Sequence, residues 1–212
     1  MRRETVCAAL VLSLLVPAAY AATSVEKIRN DKVVVTEDTL GPGESEPLST
    51  ERPSELVYMD NGTAEITHGG KAGGHKVAVK EGEVSFEQAG VGSIKNDGSS
   101  PLHFARIEFL TDGSSEVWGM TGLAPNYKML LENRYARAYD IRIAAGEFEP
   151  QHTHHARVVV SLSGATLEHI LPDGTHQPST LKTGEIVYRP AATHVGHNLG
   201  TTNLWVIAVE PK

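Results

Sequence analysis

Two imidazoles two residues apart are the chemical starting point of this chain. His152 and His154 stand in GEFEPQHTHHARVVVSLSG, residues 146–164, just ahead of a valine-rich run. Side chains at i and i+2 of a β-strand leave the same face. Both rings are therefore predicted to point into whatever that face covers, and two neutral imidazoles side by side begin a metal site. Further on, GEIVYRPAATHVGHN brings a third histidine, His194, on a different strand.

Such a site needs strands to carry it, and the chain is punctuated for strands throughout. Its 20 glycines and 11 prolines separate short apolar runs, and no stretch holds a helical period for long. Strands are predicted at residues 32–36, 56–59, 76–80, 104–110, 137–143, 158–162, 166–171, 185–188 and 204–209. Asp60-Asn61-Gly62, Asn96-Asp97-Gly98 and Pro172-Asp173-Gly174 are turn sequences. Only residues 127–132 read as a helical turn. The fold class is therefore all-β.

Residues 1–21 read as a segment outside that fold. Arg2 and Arg3 form a basic start, residues 6–16 are an apolar run, and Ala19-Tyr20-Ala21 is a small-residue cleavage signal. This is the organisation of a secretory signal peptide cut after Ala21, and the run is far short of the roughly 20 residues of a spanning helix. The protein is therefore expected to be periplasmic or secreted. Cleavage removes Cys7, the only cysteine, so the mature chain has no disulfide and no thiolate ligand. The whole chain carries 19 basic and 26 acidic residues, net −7, and losing Arg2, Arg3 and Glu4 leaves 17 and 25, net −8. That charge argues against nucleic acid or an anionic membrane surface as partner and leaves a small-molecule ligand.

A glycine, a short gap and H-x-H, followed by G-x5-P and H-x3-N, resembles the two-motif pattern of the cupin family. Here the residues are Gly146, His152 and His154, then Gly184, Pro190, His194 and Asn198. LLENRYARAYDIRIAAGE, residues 130–147, is also similar to the first part of small single-domain cupins linked to beta-alanine degradation. The resemblance implies a jelly-roll barrel holding a divalent transition metal through His152, His154 and His194, with Fe, Mn, Zn, Ni and Cu undistinguished. Cupin sites of this kind usually add a glutamate a few residues after H-x-H. Residues 155–163 contain no acidic residue, and Arg157 stands at the glutamate's usual distance from the following glycine. Three neutral imidazoles leave the ion its full charge and an open coordination position, as in three-histidine cupin dioxygenases.

Arg157, if it faces inward, can take a carboxylate in two-pronged fashion; the alternative is that it leans outward. His197 and Tyr188 are further substrate-binding candidates, and Tyr139, Phe148 and Trp205 are candidates for the cavity wall. His155 is expected on the opposite face of its strand, His176 in solvent beside a turn, and Asn198 in a turn. Cupins commonly pair through sheet edges, so a homodimer is a further expectation.

An internal repeat doubles this unit. Residues 43–47, GESEP, match 146–150, GEFEP, and Gly82-Glu83-Val84, Asn96 and Gly98 match Gly184-Glu185-Ile186, Asn198 and Gly200 at an offset of 102, which also pairs Gly62 with Gly164. The expectation is two tandem cupin barrels: residues 28–110, a linker at 111–130, and residues 131–212. By the same counting His152 falls opposite Ser49, His154 opposite Glu51, Arg157 opposite Glu55 and His194 opposite Gly92. The first copy keeps the turn glycines and has none of the histidines, so it is expected to be structural, with the metal in the second. The alternative is that the histidines are satisfied polar residues of the barrel. Two function classes follow: a metal-dependent oxygenase, isomerase or lyase acting on a small molecule, or a module that binds a metal or small ligand without turning it over.

Overall fold

The computed structural model describes residues 22–48, 51–69, 73–90 and 92–212, so residues 1–21 and Ser49 lie outside the described residues. The first half holds β1 (Thr23–Arg29), β2 (Val33–Leu40), β3 (Ser45–Pro47), β4 (Ser54–Tyr58), β5 (Gly62–His68), β6 (His75–Val79), β7 (Val84–Glu87), β8 (Gly92–Asn96) and β9 (Leu102–Phe109). The second holds β10 (Lys128–Glu132), β11 (Ala136–Ile143), β12 (Phe148–His154), β13 (Arg157–Ser163), β14 (Thr166–Ile170), β15 (His176–Thr180), β16 (Ile186–Arg189), β17 (Ala192–Asn198) and β18 (Leu204–Pro211). No helix occurs among the described residues, and so none is long and apolar enough to cross a membrane. Residues 127–132, read from sequence as a helical turn, instead hold β10 at 128–132, paired antiparallel with β11. Pairing with a buried neighbour outweighs the helix propensity of Met129, Leu130 and Leu131.

Each half makes the same pair of sheets. The first has the orders β1-β2-β9-β4-β7 and β3-β8-β5-β6; the second has β10-β11-β18-β13-β16 and β12-β17-β14-β15. Adding nine to every strand of the first half reproduces the second. The repeated turns agree in detail. Gly43 and Gly146 have φ of 81° and 80°, and Gly82 and Gly184 both have 80°, a left-handed conformation that glycine adopts without strain. Asn96 donates from Nδ2 to the Leu40 and Ser100 carbonyls, and Asn198 does the same to Ile143 and Thr202. Asn198 is thus a buried turn tie.

The pairing register corrects two of the sequence alignments by one residue. Asp97 N–H donates to Thr63 O and Leu199 N–H to Thr166 O, which aligns Thr63 with Thr166. Gly62 therefore stands opposite Ala165, and Gly164 opposite Asn61, in the same turn but not in the same place. Similarly, Ser54 faces Glu87 where Arg157 faces Arg189, so the counterpart of Arg157 is Ser54 rather than Glu55. A single-residue slip moves a side chain to the other face of its sheet.

The two five-stranded sheets pack on each other through one apolar core. Val33, Val35, Val57 and Ile107 meet Ala138, Val158, Ile207 and Val209 there, and Tyr135 stacks on Phe86 and Phe109 at centroid distances of 5.7 and 5.8 Å. Strands β13 and β18 are consequently buried on both faces, which is why RVVVSLS and LWVIAVEP read as near-continuous apolar runs. The first barrel's interior is filled by side chains including Leu40, Leu56, Tyr58, Ile66, Ile94 and Phe104.

Candidate metal centre

Strand β12 brings Glu149, His152 and His154 to the inner face of the second barrel. Its register against β17 shifts between Glu149 and His152, and that bulge puts residues three apart on one face before normal alternation resumes. His152 pairs directly with His194 across the sheet. The three histidines are each at most 4% exposed, and they offer ring nitrogens within 4.8 Å of one another.

The hydrogen bonds select which nitrogen faces the cluster. His152 Nδ1 lies 2.8 Å from Pro150 O, which can only accept, so this nitrogen carries the proton. Tyr139 gives its hydroxyl proton to Glu210 Oε1 at 2.7 Å, so its oxygen accepts from His154 Nδ1 at 2.9 Å. Both Nε2 atoms are therefore unprotonated, and they face each other 2.9 Å apart, with the Tyr127 hydroxyl 3.1 Å from that of His152. Two lone pairs at that distance repel unless a cation lies against them, so the donor set fits a metal ion. The Glu210–Tyr139–His154 chain is the outer support that fixes ring and tautomer in metal sites.

The electrostatics keep the imidazoles neutral. Burial lowers the pKa of His152, pushes His154 down to about 4, and pushes His194 down to about 2 with help from the neighbouring His169, His152 and His154. Burial would raise Glu210, but the nearby His154 N–H, hydrogen bonds from Tyr139 and Arg137, and the Arg137 charge outweigh it and hold the carboxyl near 2. Arg137 is itself fully buried, donates to Glu210, and ties the 119–121 loop through the Gly119 and Thr121 carbonyls.

Several residues at the site were not anticipated from sequence. His169, on β14, stacks on His194 with centroids 4.3 Å apart, and burial pushes it down to about 4. Glu149 lies across from Gly196, where a Cβ would come within 2.5 Å of its Oε2, so the glycine makes room for the carboxylate. Its Oε1 is buried without a hydrogen-bond partner, and burial pushes the carboxyl up to about 7, against the pull of Tyr127, Asn126 and Arg157. Tyr127 reaches His152 Nε2 at 3.1 Å from the segment between the barrels. No carboxylate was expected beside the histidines, and the bulge in β12 is the feature that brings one there.

Arg157 faces inward and is 7% exposed. It lines an inner cavity of about 50 Å³ with Glu149, His154, His169 and His194, and a mouth of about 240 Å³ that it shares with Arg189, His169 and His194. Two of the candidates for substrate contact do not reach this space. Tyr188 packs into the core between the barrels, because along β16 its neighbours Val187 and Arg189 take the inward positions. His197 stacks on the exposed ring of Phe148 at 3.6 Å, on the outer face, one parity step from His194. Trp205 packs on the inter-barrel core and Phe148 is 61% exposed, so neither walls the cavity, whereas Tyr139 touches His154. His155 stacks on Trp118 at 3.9 Å and His176 is exposed beside Glu168, both away from the cluster.

The first barrel shows what the same framework holds without this chemistry. By register, Ile66 replaces His169 and Ile94 replaces Gly196, while Glu46 turns to Arg106 instead of the interior. Glu51 is an exposed bend residue and Gly92 opens β8.

Comparison with solved structures identifies this architecture. AerE from Microcystis aeruginosa superposes with a TM-score of 0.68 at 13% identity, covering 93% of this chain and 95% of that one. A cupin 2 conserved barrel domain protein from Leptotrichia buccalis gives 0.60 at 15%, covering 93% and 92%. The chain has the bicupin fold. Oxalate decarboxylase from Bacillus subtilis matches this bicupin with a TM-score of 0.61 at 13% identity over 85% of this chain and 68% of that one; Mn(II) centres are described for that enzyme. No protein-family model matches the chain, and no curated protein matches its sequence. The fold and the three-histidine cluster together fit a metal-binding cupin.

Proposed function

We propose that this bicupin binds a divalent transition metal through Nε2 of His152, Nε2 of His154 and the His194 ring, and acts as a small-molecule oxygenase, isomerase or lyase. The observation that carries the reading is the pair of facing Nε2 lone pairs, each fixed by a hydrogen bond on the far side of its ring. A divalent ion at three neutral imidazoles keeps its charge and an open coordination position, which is the chemistry of a Lewis acid or an oxygen-binding centre. Around it the chain's own residues have distinct tasks. Glu210 and Tyr139 orient His154, Tyr127 and His169 border the cluster, and Glu149 offers a buried carboxyl able to hold or release a proton near neutrality. In this reading residues 131–212 are the functional barrel, 28–110 the structural one, 111–130 the link, and 1–21 an export leader that directs the protein to the periplasm or medium.

The alternative is a binding module with the same metal and no turnover; the enclosed Glu149 favours the enzyme, since simple retention of an ion needs no buried carboxyl with an unpartnered oxygen. The metal-reconstituted protein, supplied with small carboxylic acids, should consume oxygen or convert one of them, and that conversion should fall in Glu149→Gln while metal content stays unchanged. Full metal occupancy without conversion of any small acid would establish the binding module instead.

A further inference from the structure

Arg157 and Arg189 are direct cross-strand partners on β13 and β16. Like charges placed opposite each other in a sheet destabilise it, yet no ion pair neutralises either guanidinium among the described residues. Arg157 donates to the Pro190 carbonyl at 3.3 Å, and its Nε is buried without a partner. Glu210, the buried carboxylate whose charge reaches it, is occupied by Arg137, Tyr139 and the His155 amide. Glu149 shares the cavity but makes no ion pair with it. The fold does not require two cations here, because the same crossing in the first barrel is Ser54 against Glu87.

Both arginines border the inner cavity and the mouth, and the far wall of the inner cavity is aliphatic: Ile141, Ile143, Leu181, Leu204 and Val206. An anionic head and a short apolar tail match those two environments. At about 50 and 240 Å³ the two spaces fall below the roughly 300–1,000 Å³ of drug-sized pockets, so the ligand is small. We propose that Arg157 and Arg189 hold the carboxylate of a short-chain carboxylic acid between them, with its carbon chain against the aliphatic wall of the inner cavity. Paired guanidiniums suit a carboxylate because each presents its donors in a planar fork. The proposal takes its location from the functional reading of this barrel, and it does not depend on the metal.

Calorimetric titration of the EDTA-treated full chain at low ionic strength tests it, with butyrate, inorganic phosphate and n-butylammonium as probes. Butyrate should bind more tightly than phosphate, which lacks the chain, and n-butylammonium should not bind. Arg189→Gln, at a half-buried position that leaves the core intact, should weaken butyrate by about tenfold or more, and Arg189→Lys should restore part of the loss. Because the titrated chain is metal-free, with its histidines intact, loss of the metal and loss of the anion site are separately visible. Absence of butyrate binding by the parent protein, binding by Arg189→Gln within twofold of it, or phosphate binding as tightly as butyrate would each overturn the proposal.

Discussion

Replacing Tyr139 by Phe removes one oxygen and leaves the ring in its stack with Tyr127 at 5.6 Å. That oxygen accepts from His154 Nδ1 and donates to Glu210, so without it the imidazole N–H is left 3.7 Å from Glu210 Oε1, beyond hydrogen-bond reach. A buried donor left unsatisfied costs about 1–3 kcal/mol. The metal-free protein can escape part of this cost by moving the proton to Nε2, whereas a metal-bound His154 must keep its proton on Nδ1. The difference falls on affinity, and outer-support changes of this type cost about 10–100-fold. Zn²⁺ titration against a chromophoric chelator at pH 7.5, with circular dichroism to confirm the fold, measures it. Tyr127→Phe is the contrast: its hydroxyl sits 3.1 Å from His152 Nε2, the lone pair an ion would use, so its removal should leave affinity equal or higher. Affinity in folded Tyr139→Phe within twofold of the parent value would refute the tautomer argument.

Other outcomes follow from the packing and the buried acids. Glu55 is fully buried between the barrels, where burial pushes its carboxyl up to about 8 against a hydrogen bond from Asn133. Because the folded pKa is raised above the ordinary carboxyl value of 4.5, stability is complete below that value and falls as pH rises through it towards about 8. Glu55→Gln should flatten this loss and raise stability at pH 8 on the order of 2–3 kcal/mol, read from urea unfolding at pH 4.5 and pH 8; parallel pH dependence in both proteins would count against it. Gly196→Ile, which imports the first barrel's residue, drives a Cβ into Glu149 and should cost about 1–3 kcal/mol in thermal unfolding. N-terminal sequencing of exported protein should begin at or near Ala22, and a chain retaining Arg2 would exclude the leader.

The fold was legible because its signals are local. Valine-rich runs such as residues 157–163 and the paired turn glycines at 43 and 146 mark strands and repeat directly. The His152, His154 and His194 convergence was legible for the same reason, since strand alternation and a facing register suffice to bring them together. What was missed depends on events away from the motif. The bulge in β12 turns Glu149 inward, and nothing in GEFEPQH announces an extra residue there. His169 and Arg189 enter the cavity only through the register of β14 and β16, and Tyr188 was misplaced by the parity of that second strand. Edge strands such as β1 and β15, exposed and polar, carry too weak an alternation to be read alone.

The most direct test of the metal site is the ion stoichiometry of the parent protein and of the variant carrying His152→Ala, His154→Ala and His194→Ala, both loaded with Mn²⁺ or Zn²⁺, desalted and measured by elemental analysis. The parent should hold about one ion per chain and the variant almost none, while His155→Ala and His176→Ala match the parent. Equal metal content in the parent and the triple variant would contradict the site assignment.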